Sequence, residues 1–200
     1  MTASDLPPRH DVELGTAALR VLAHPLRLTV LALLRERGPA TATHVADELG
    51  INPGAASYHL RRLAAGGLIE EEPDRGTGRE RWWRSVHRQS VHDPATATAE
   101  QCDTGRAYTQ AVAEVAADRL HRAAREVPLL PEDWLRATAY GDFLLRLTPE
   151  DTSRMRDEIF EVITRYRDRS GGVPEGTSPV FVQVQAFPAP GTALPPDAGA

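Results

Sequence analysis

Apolar residues return at three- and four-residue intervals between Val12 and Arg37: Leu14, Ala18, Leu19, Leu22, Leu26, Val30, Leu31, Leu33 and Leu34. That period predicts helix. His24-Pro25 interrupts it and predicts two helices meeting at a corner, because proline disfavours the helical conformation of the residue before it and suits a first helical turn. Gly38-Pro39 ends the second helix. Thr41 or Thr43 can cap a short helix running through Glu48, with Val45, Ala46 and Leu49 inward and Gly50 at the left-handed closing position. Asn52 and Pro53 then start a helix over Gly54 to Ala65, which Gly66-Gly67 stops. Leu68 to Glu72 and Arg79 to Val86 read as the strands of a hairpin, with the turn residues Asp74, Gly76 and Gly78 between them.

Beyond Asp93 the pattern predicts a long helix from about Ala95 to Glu126, whose stripe of Tyr108, Val112, Val115, Ala116, Leu120 and Ala124 suits packing against a partner helix. β character follows near Ala137 to Leu147. Thr148, Pro149 and Asp151 mark the start of a helix to about Arg169, lined by Met155, Ile159, Phe160, Ile163 and Tyr166. Val180, Val182 and Val184 alternate with Phe181, Gln183 and Gln185, the period of a half-buried strand around Pro179 to Phe187. The expected class is mainly α with a β-hairpin wing. Its parts are a flexible tail and helix start (1–14), a winged helix-turn-helix (15–92), a dimerisation helix with a small α+β accessory unit (93–187), and a disordered tail (188–200).

Composition narrows the function. The 200 residues, 41% hydrophobic and 26% charged, describe an ordinary globular chain, and no apolar run approaches the roughly 18 residues of a membrane span. With no basic-then-apolar leader, a cytoplasmic, membrane-free protein is expected. A single cysteine, Cys102, excludes an internal disulfide and a thiolate metal cluster. The net charge of −5 is unevenly spread: residues 1–92 hold twelve Arg against eleven acids, residues 93–200 eleven against seventeen. All 23 cations are Arg, as compositional bias from a GC-rich genome would produce.

On a helix over 54–65, Ala56, Leu60 and Leu63 fall on one buried stripe with His59 at its edge, leaving Gly54, Ser57, Tyr58 and Arg61 opposite and Arg62 flanking. Those side chains suit a major groove. Arg bonds guanine bidentately, hydroxyls reach base edges or phosphates, and small residues permit close approach. Asn52 and Gly54 sit at the helix N-terminus, whose free amides favour a phosphate. The hairpin adds Arg75, Arg79, Arg81 and Arg84 as a cluster able to clamp the flanking backbone. A lone amphipathic helix with a solvated polar face would carry no such reading; the tandem helix and the Arg-bearing hairpin change it.

The segments Leu22-Ala23-His24-Pro25-Leu26-Arg27-Leu28, Val45-Ala46-Asp47-Glu48-Leu49-Gly50 and Ser57-Tyr58-His59-Leu60-Arg61-Arg62-Leu63-Ala64-Ala65-Gly66-Gly67-Leu68-Ile69 resemble the ArsR-type winged-helix repressors over roughly residues 15–92. The resemblance implies that Ser57, Tyr58 and Arg61 face the groove, that the Arg-rich hairpin is the wing, and that the protein is a homodimer on double-stranded DNA. A two-fold dimer places its recognition helices about 34 Å apart on an inverted-repeat operator. The chain departs from the metal-sensing members: it has no cysteine in its first hundred residues, and His87, His92, Asp93 and His121 lack the spacing of a helical ligand pair. No metal, no cofactor and no catalytic residues are expected; a phosphate-binding Gly loop, a nucleophile elbow and a Cys-His pairing are all missing. Trp134, Tyr140, Phe143, Phe160, Tyr166 and Phe181 are either ordinary core or the lining of a small-molecule effector pocket. The leading reading is a repressor, and the alternative is a winged-helix module that binds protein without sequence-specific DNA recognition.

Overall fold

Pro25 has no backbone N–H and a ring-fixed φ, so α1 (Thr16–Leu22) stops before it and α2 (Pro25–Arg37) starts on it, with a 99° bend between them. The computed structural model describes residues 11–73, 75, 80–87, 89–91, 99–167 and 176–193. In chain order the remaining elements are β1 (Asp11–Glu13) before α1, then β2 (Ala40–Thr41), α3 (Ala42–Leu49), α4 (Pro53–Ala65), β3 (Ile69–Glu71), β4 (Trp82–Ser85), β5 (Gln89–Val91), α5 (Ala99–Glu126), α6 (Glu132–Ala137) and α7 (Pro149–Arg167). They divide into two compact units, residues 1–135 and 136–200. Of the two expected tails, 1–14 and 188–200, residues 1–10 and 194–200 lie outside the described residues. Among the described residues no single helix is long and apolar enough to cross a membrane; α1 and α2 reach that hydropathy only together, across their bend.

The first unit is built on the predicted stripes. Leu19 and Leu22 of α1, Val30, Leu31 and Leu34 of α2, Val45 and Ala46 of α3, and Ala56, Leu60 and Leu63 of α4 form one buried cluster, closed by Leu68, Ile69 and Trp83. Thr41 caps α3 by accepting from the His44 amide at 3.2 Å, and Gly50 ends it at φ +63°, a left-handed conformation that would strain any residue with a Cβ. Asn52 caps α4 by accepting from the Ala55 amide at 2.8 Å, a contact typically worth about 1 kcal/mol. Three residues, Gly50, Ile51 and Asn52, therefore separate α3 from α4, short enough to hold the pair at one fixed angle.

Three strands, β1, β2 and β5, were not foreseen. β1 pairs with β5 in parallel, Asp11 opposite Gln89 and Glu13 opposite Val91, so the chain at Val12 is strand, and helix begins only at Thr16. β2 joins the expected hairpin as a third strand, giving the antiparallel order β2-β4-β3, and the returning strand is shorter than expected, 82–85 rather than 79–86. These additions rest on partners far along the chain, which local periodicity does not report. The stripe on α5 is partly used inside the chain: α5 packs on α1 and α2, Ala111 is buried, and Tyr108 lies against the winged-helix core. Burial pushes the Tyr108 phenol up, against the opposing charge of Arg35. Leu120, farther along, stays about half exposed.

In the second unit, Thr148 caps α7 by accepting from the Asp151 amide at 3.1 Å, as the sequence signature predicts. Met155, Ile159 and Ile163 are half-buried, whereas Phe160 and Tyr166 are exposed. The strands expected near 137–147 and 179–187 are irregular chain beyond α6. Alternation alone does not make a strand; the backbone needs a partner ladder, and none of the described residues supplies one.

Candidate nucleic-acid interface

The two-turn helix α3 and the longer α4 meet across Gly50, Ile51 and Asn52, with Val45 and Ala46 packed into the same cluster as Ala56 and Leu60. Burial on α4 follows the i, i+3, i+4, i+7 rule at Ala56, His59, Leu60 and Leu63. The opposite face is in solvent: Gly54, Tyr58, Arg61 and Arg62 are exposed and Ser57 is half exposed, with Asn52 exposed at the cap. The Arg61 Nε donates to the Ser57 carbonyl at 3.2 Å, laying the exposed side chain along its own helix. Tyr58 projects with 53% of its surface open, an unusual place for a large aromatic that serves no core.

The wing differs electrostatically from its sequence reading. β3 carries Glu70 and Glu71, followed by Glu72, and the β3–β4 register sets Glu70 directly opposite Arg84. Arg84 and Glu70 pair at 2.6 Å, Arg81 and Glu71 at 3.0 Å, and Arg75 and Glu72 at 3.8 Å. Arg75 also lies 4.9 Å from the centre of the Trp82 ring. The cluster expected to clamp a backbone is therefore largely neutralised by its own sheet; such exposed pairs are weak, about 0–1 kcal/mol, and exchangeable. Arg79 lies outside the described residues.

Residues 22–72 match the family described as a helix-turn-helix domain. The HTH-type transcriptional regulator YgaV of Escherichia coli (strain K12) is 31% identical over 64 residues, 32% of this chain, and the chain spans 65% of that regulator's length. Among solved structures, a homodimeric winged helix-turn-helix DNA-binding domain from Mycobacterium bovis is 28% identical, covering 52% of this chain and 79% of that one, with a TM-score of 0.32. An ArsR-like transcriptional regulator from Rhodococcus sp. RHA1 is 26% identical, covering 56% and 89%, with a TM-score of 0.30. The family match over residues 22–72 falls inside the segment, roughly 15–92, that carries the motif resemblance.

The helix-turn-helix domain holds one group of residues that sequence spacing did not single out. His59, expected at the edge of the stripe, is buried, 8% exposed, with its ring 5.0 Å from that of His24 and edge-on to Tyr58 at 5.3 Å. Burial first, then His24 and then Arg27, hold its imidazole below the ordinary histidine value of 6.5. The unfolded chain therefore takes up this proton before the folded one. Stability contributed by the neutral ring is present above about pH 6.5 and is lost as pH falls through the window between the unfolded and the lower folded value. The urea midpoint is expected to fall on acidification below that pH, with a smaller fall in His59→Gln; equal falls in both proteins would remove His59 as the source.

An open groove of about 580 Å³ lies beside the wing, lined by Leu33, Pro39, Ala40, His44 and Trp82, with the exposed Arg37–Glu48 pair at 2.8 Å along its rim. The aromatics proposed as core or effector lining form neither within the second unit: Tyr140, Phe143, Phe160, Tyr166 and Phe181 are all exposed, and no described residue from 136 onward is buried. Cys102 is an exposed thiol on α5.

Proposed function

We propose that the chain is a transcriptional repressor that binds double-stranded DNA as a dimer, placing α4 of each copy in successive major grooves of an inverted-repeat operator. The observation that carries this reading is the outward face of α4. Gly54, Ser57, Tyr58 and Arg61 stand opposite a fully buried stripe, and neither Arg61 nor Arg62 has an acidic partner among the described residues. In this reading Arg61 reads a base edge, Ser57 and Tyr58 reach base edges or phosphates, and the Asn52–Gly54 end of the helix meets the backbone. Arg62 is assigned to a flanking phosphate. Arg75 and Arg81 contact the outer backbone by exchanging their Glu partners for phosphate, and Arg79 is assigned to the same backbone. Leu120 on the uncovered part of α5 supports a two-fold contact there.

The near-neutral wing favours the other reading, a protein-binding winged helix, and one titration separates the two. Purified protein is expected to form a salt-sensitive, sequence-preferring complex with DNA from its own promoter region, followed by fluorescence anisotropy. Arg61→Ala is expected to weaken the preferred site by about 1–3 kcal/mol and to relax its preference at one base pair. An unchanged affinity in Arg61→Ala, or no salt-sensitive complex in the parent chain, would falsify the DNA-reading assignment.

A further inference from the structure

His24 stands at the N-cap of α2 without using its side chain as a cap, and its ring packs on His59 of α4. Arg27 lies in the first turn of α2. α2 packs directly on α4, which carries Tyr58 and Arg62; burial, then the charge of Arg62, lower the Arg27 guanidinium from the ordinary value, with Tyr58 acting the other way. His24 Nδ1, Arg27 Nε and His59 Nδ1 are buried without a hydrogen-bond partner in the protein. Among the described residues neither Arg27 nor Arg62 is in an ion pair, in contrast to Arg37, Arg75, Arg81 and Arg84. Two guanidiniums and two imidazoles are thus gathered with no acid between them. Of these, the Arg27 guanidinium is a donor in any state, and an anion at the cluster would satisfy it.

We propose that Arg27 and Arg62, backed by the His24–His59 pair, seat a DNA backbone phosphate at the flank of the groove that α4 enters. The inference rests on the DNA-binding reading of α4 and adds a contact, and a regulation, to it. A guanidinium presents paired donors that match two phosphate oxygens, and Tyr58 joins the cluster to the outward face of α4, which places the phosphate on a nucleic acid rather than on a free ion. The groups facing His59 are His24 and Arg27 from α2 and Tyr58 from its own helix, with Arg62 acting on Arg27; all are basic or neutral. A phosphate brought to them reverses the sign of the local field, so the imidazoles take up a proton on binding and affinity rises on mild acidification.

The experiment uses the full chain and a random-sequence duplex, since a phosphate contact is indifferent to sequence. Anisotropy is followed over a range of salt concentrations, and between about pH 7.5 and 6, where histidine titrates. For the parent chain, affinity is expected to rise by up to about tenfold per pH unit for each proton taken up. Arg27→Gln is expected to lower the slope of log affinity against log salt by about 0.9, with Arg27→Lys restoring it. The ring protons of His59, followed by NMR in the unsubstituted protein, are expected to titrate at higher pH with duplex present than without it. Inorganic phosphate at matched ionic strength is expected to leave them in place.

Duplex binding with an unchanged Arg27→Gln slope, or unmoved imidazole titrations in the unsubstituted complex, overturns the phosphate seat while leaving the DNA-binding reading intact. An equal shift with inorganic phosphate overturns the assignment to DNA. Failure of the parent chain to bind any duplex overturns both.

Discussion

Leu60→Ala is expected to destabilise the helix-turn-helix domain by about 2–5 kcal/mol, the range for removing a fully buried leucine and leaving a cavity. Leu60 has no exposed surface and lies where α4 meets the α2 and α3 residues of the core. Small domains are stable by only about 5–15 kcal/mol, so a loss of that size is expected to bring the urea midpoint down by a large fraction and to weaken DNA binding through unfolding. Tyr58→Ala, two residues earlier on the same helix, removes a larger side chain from an exposed position. It is expected to stay within about 0.5 kcal/mol of the parent in the same titration. Equal losses at the two positions would mean that α4 is rotated from the orientation described, and the assignment of Ser57, Tyr58 and Arg61 to its outward face would fall with it.

Trp83→Ala is expected to cost about 3–5 kcal/mol, the other large effect, because this is the side chain through which the wing joins the core. Trp83 is 7% exposed and sits in the central strand, opposite Ala40 on one side and Glu71 on the other. Its neighbour Trp82 points to the other face of the sheet, between His44 at 5.3 Å and the guanidinium of Arg75. Trp82→Ala therefore removes surface contacts, and a smaller loss is expected. Intrinsic fluorescence reads both variants, each retaining one wing tryptophan. A Trp82→Ala loss as large as that of Trp83→Ala would show that the strand's inward and outward faces are reversed.

The parts of this protein that are legible in its sequence are those governed by neighbours a few residues away. His24-Pro25 breaks a helix wherever it occurs, Asn52-Pro53 starts one, Gly50 closes one in a left-handed turn, and a 3.6-residue period assigns Leu60 and Leu63 to one face and Tyr58 and Arg61 to the other. Each depends on local sterics, capping or side-chain period, so helix-turn-helix and outward face follow from the sequence by itself. Only the tertiary structure decides where charge resides. Strand pairing sets Glu70 against Arg84 and brings Glu71 to Arg81 across the turn, while Arg75 reaches back three residues to Glu72, which turns an expected basic clamp into three ion pairs. Arg27 and Arg62 are 35 positions apart and come together because α2 packs across α4, which leaves a group of positive charge where no run of basic residues announces it. The same distinction accounts for the strands: β1 and β2 exist through distant partners, while the alternating segments near 137–147 and 179–187 have the period of strands and no ladder to pair with. Period and capping are properties of the chain; electrostatics and strand pairing are properties of what the fold sets side by side.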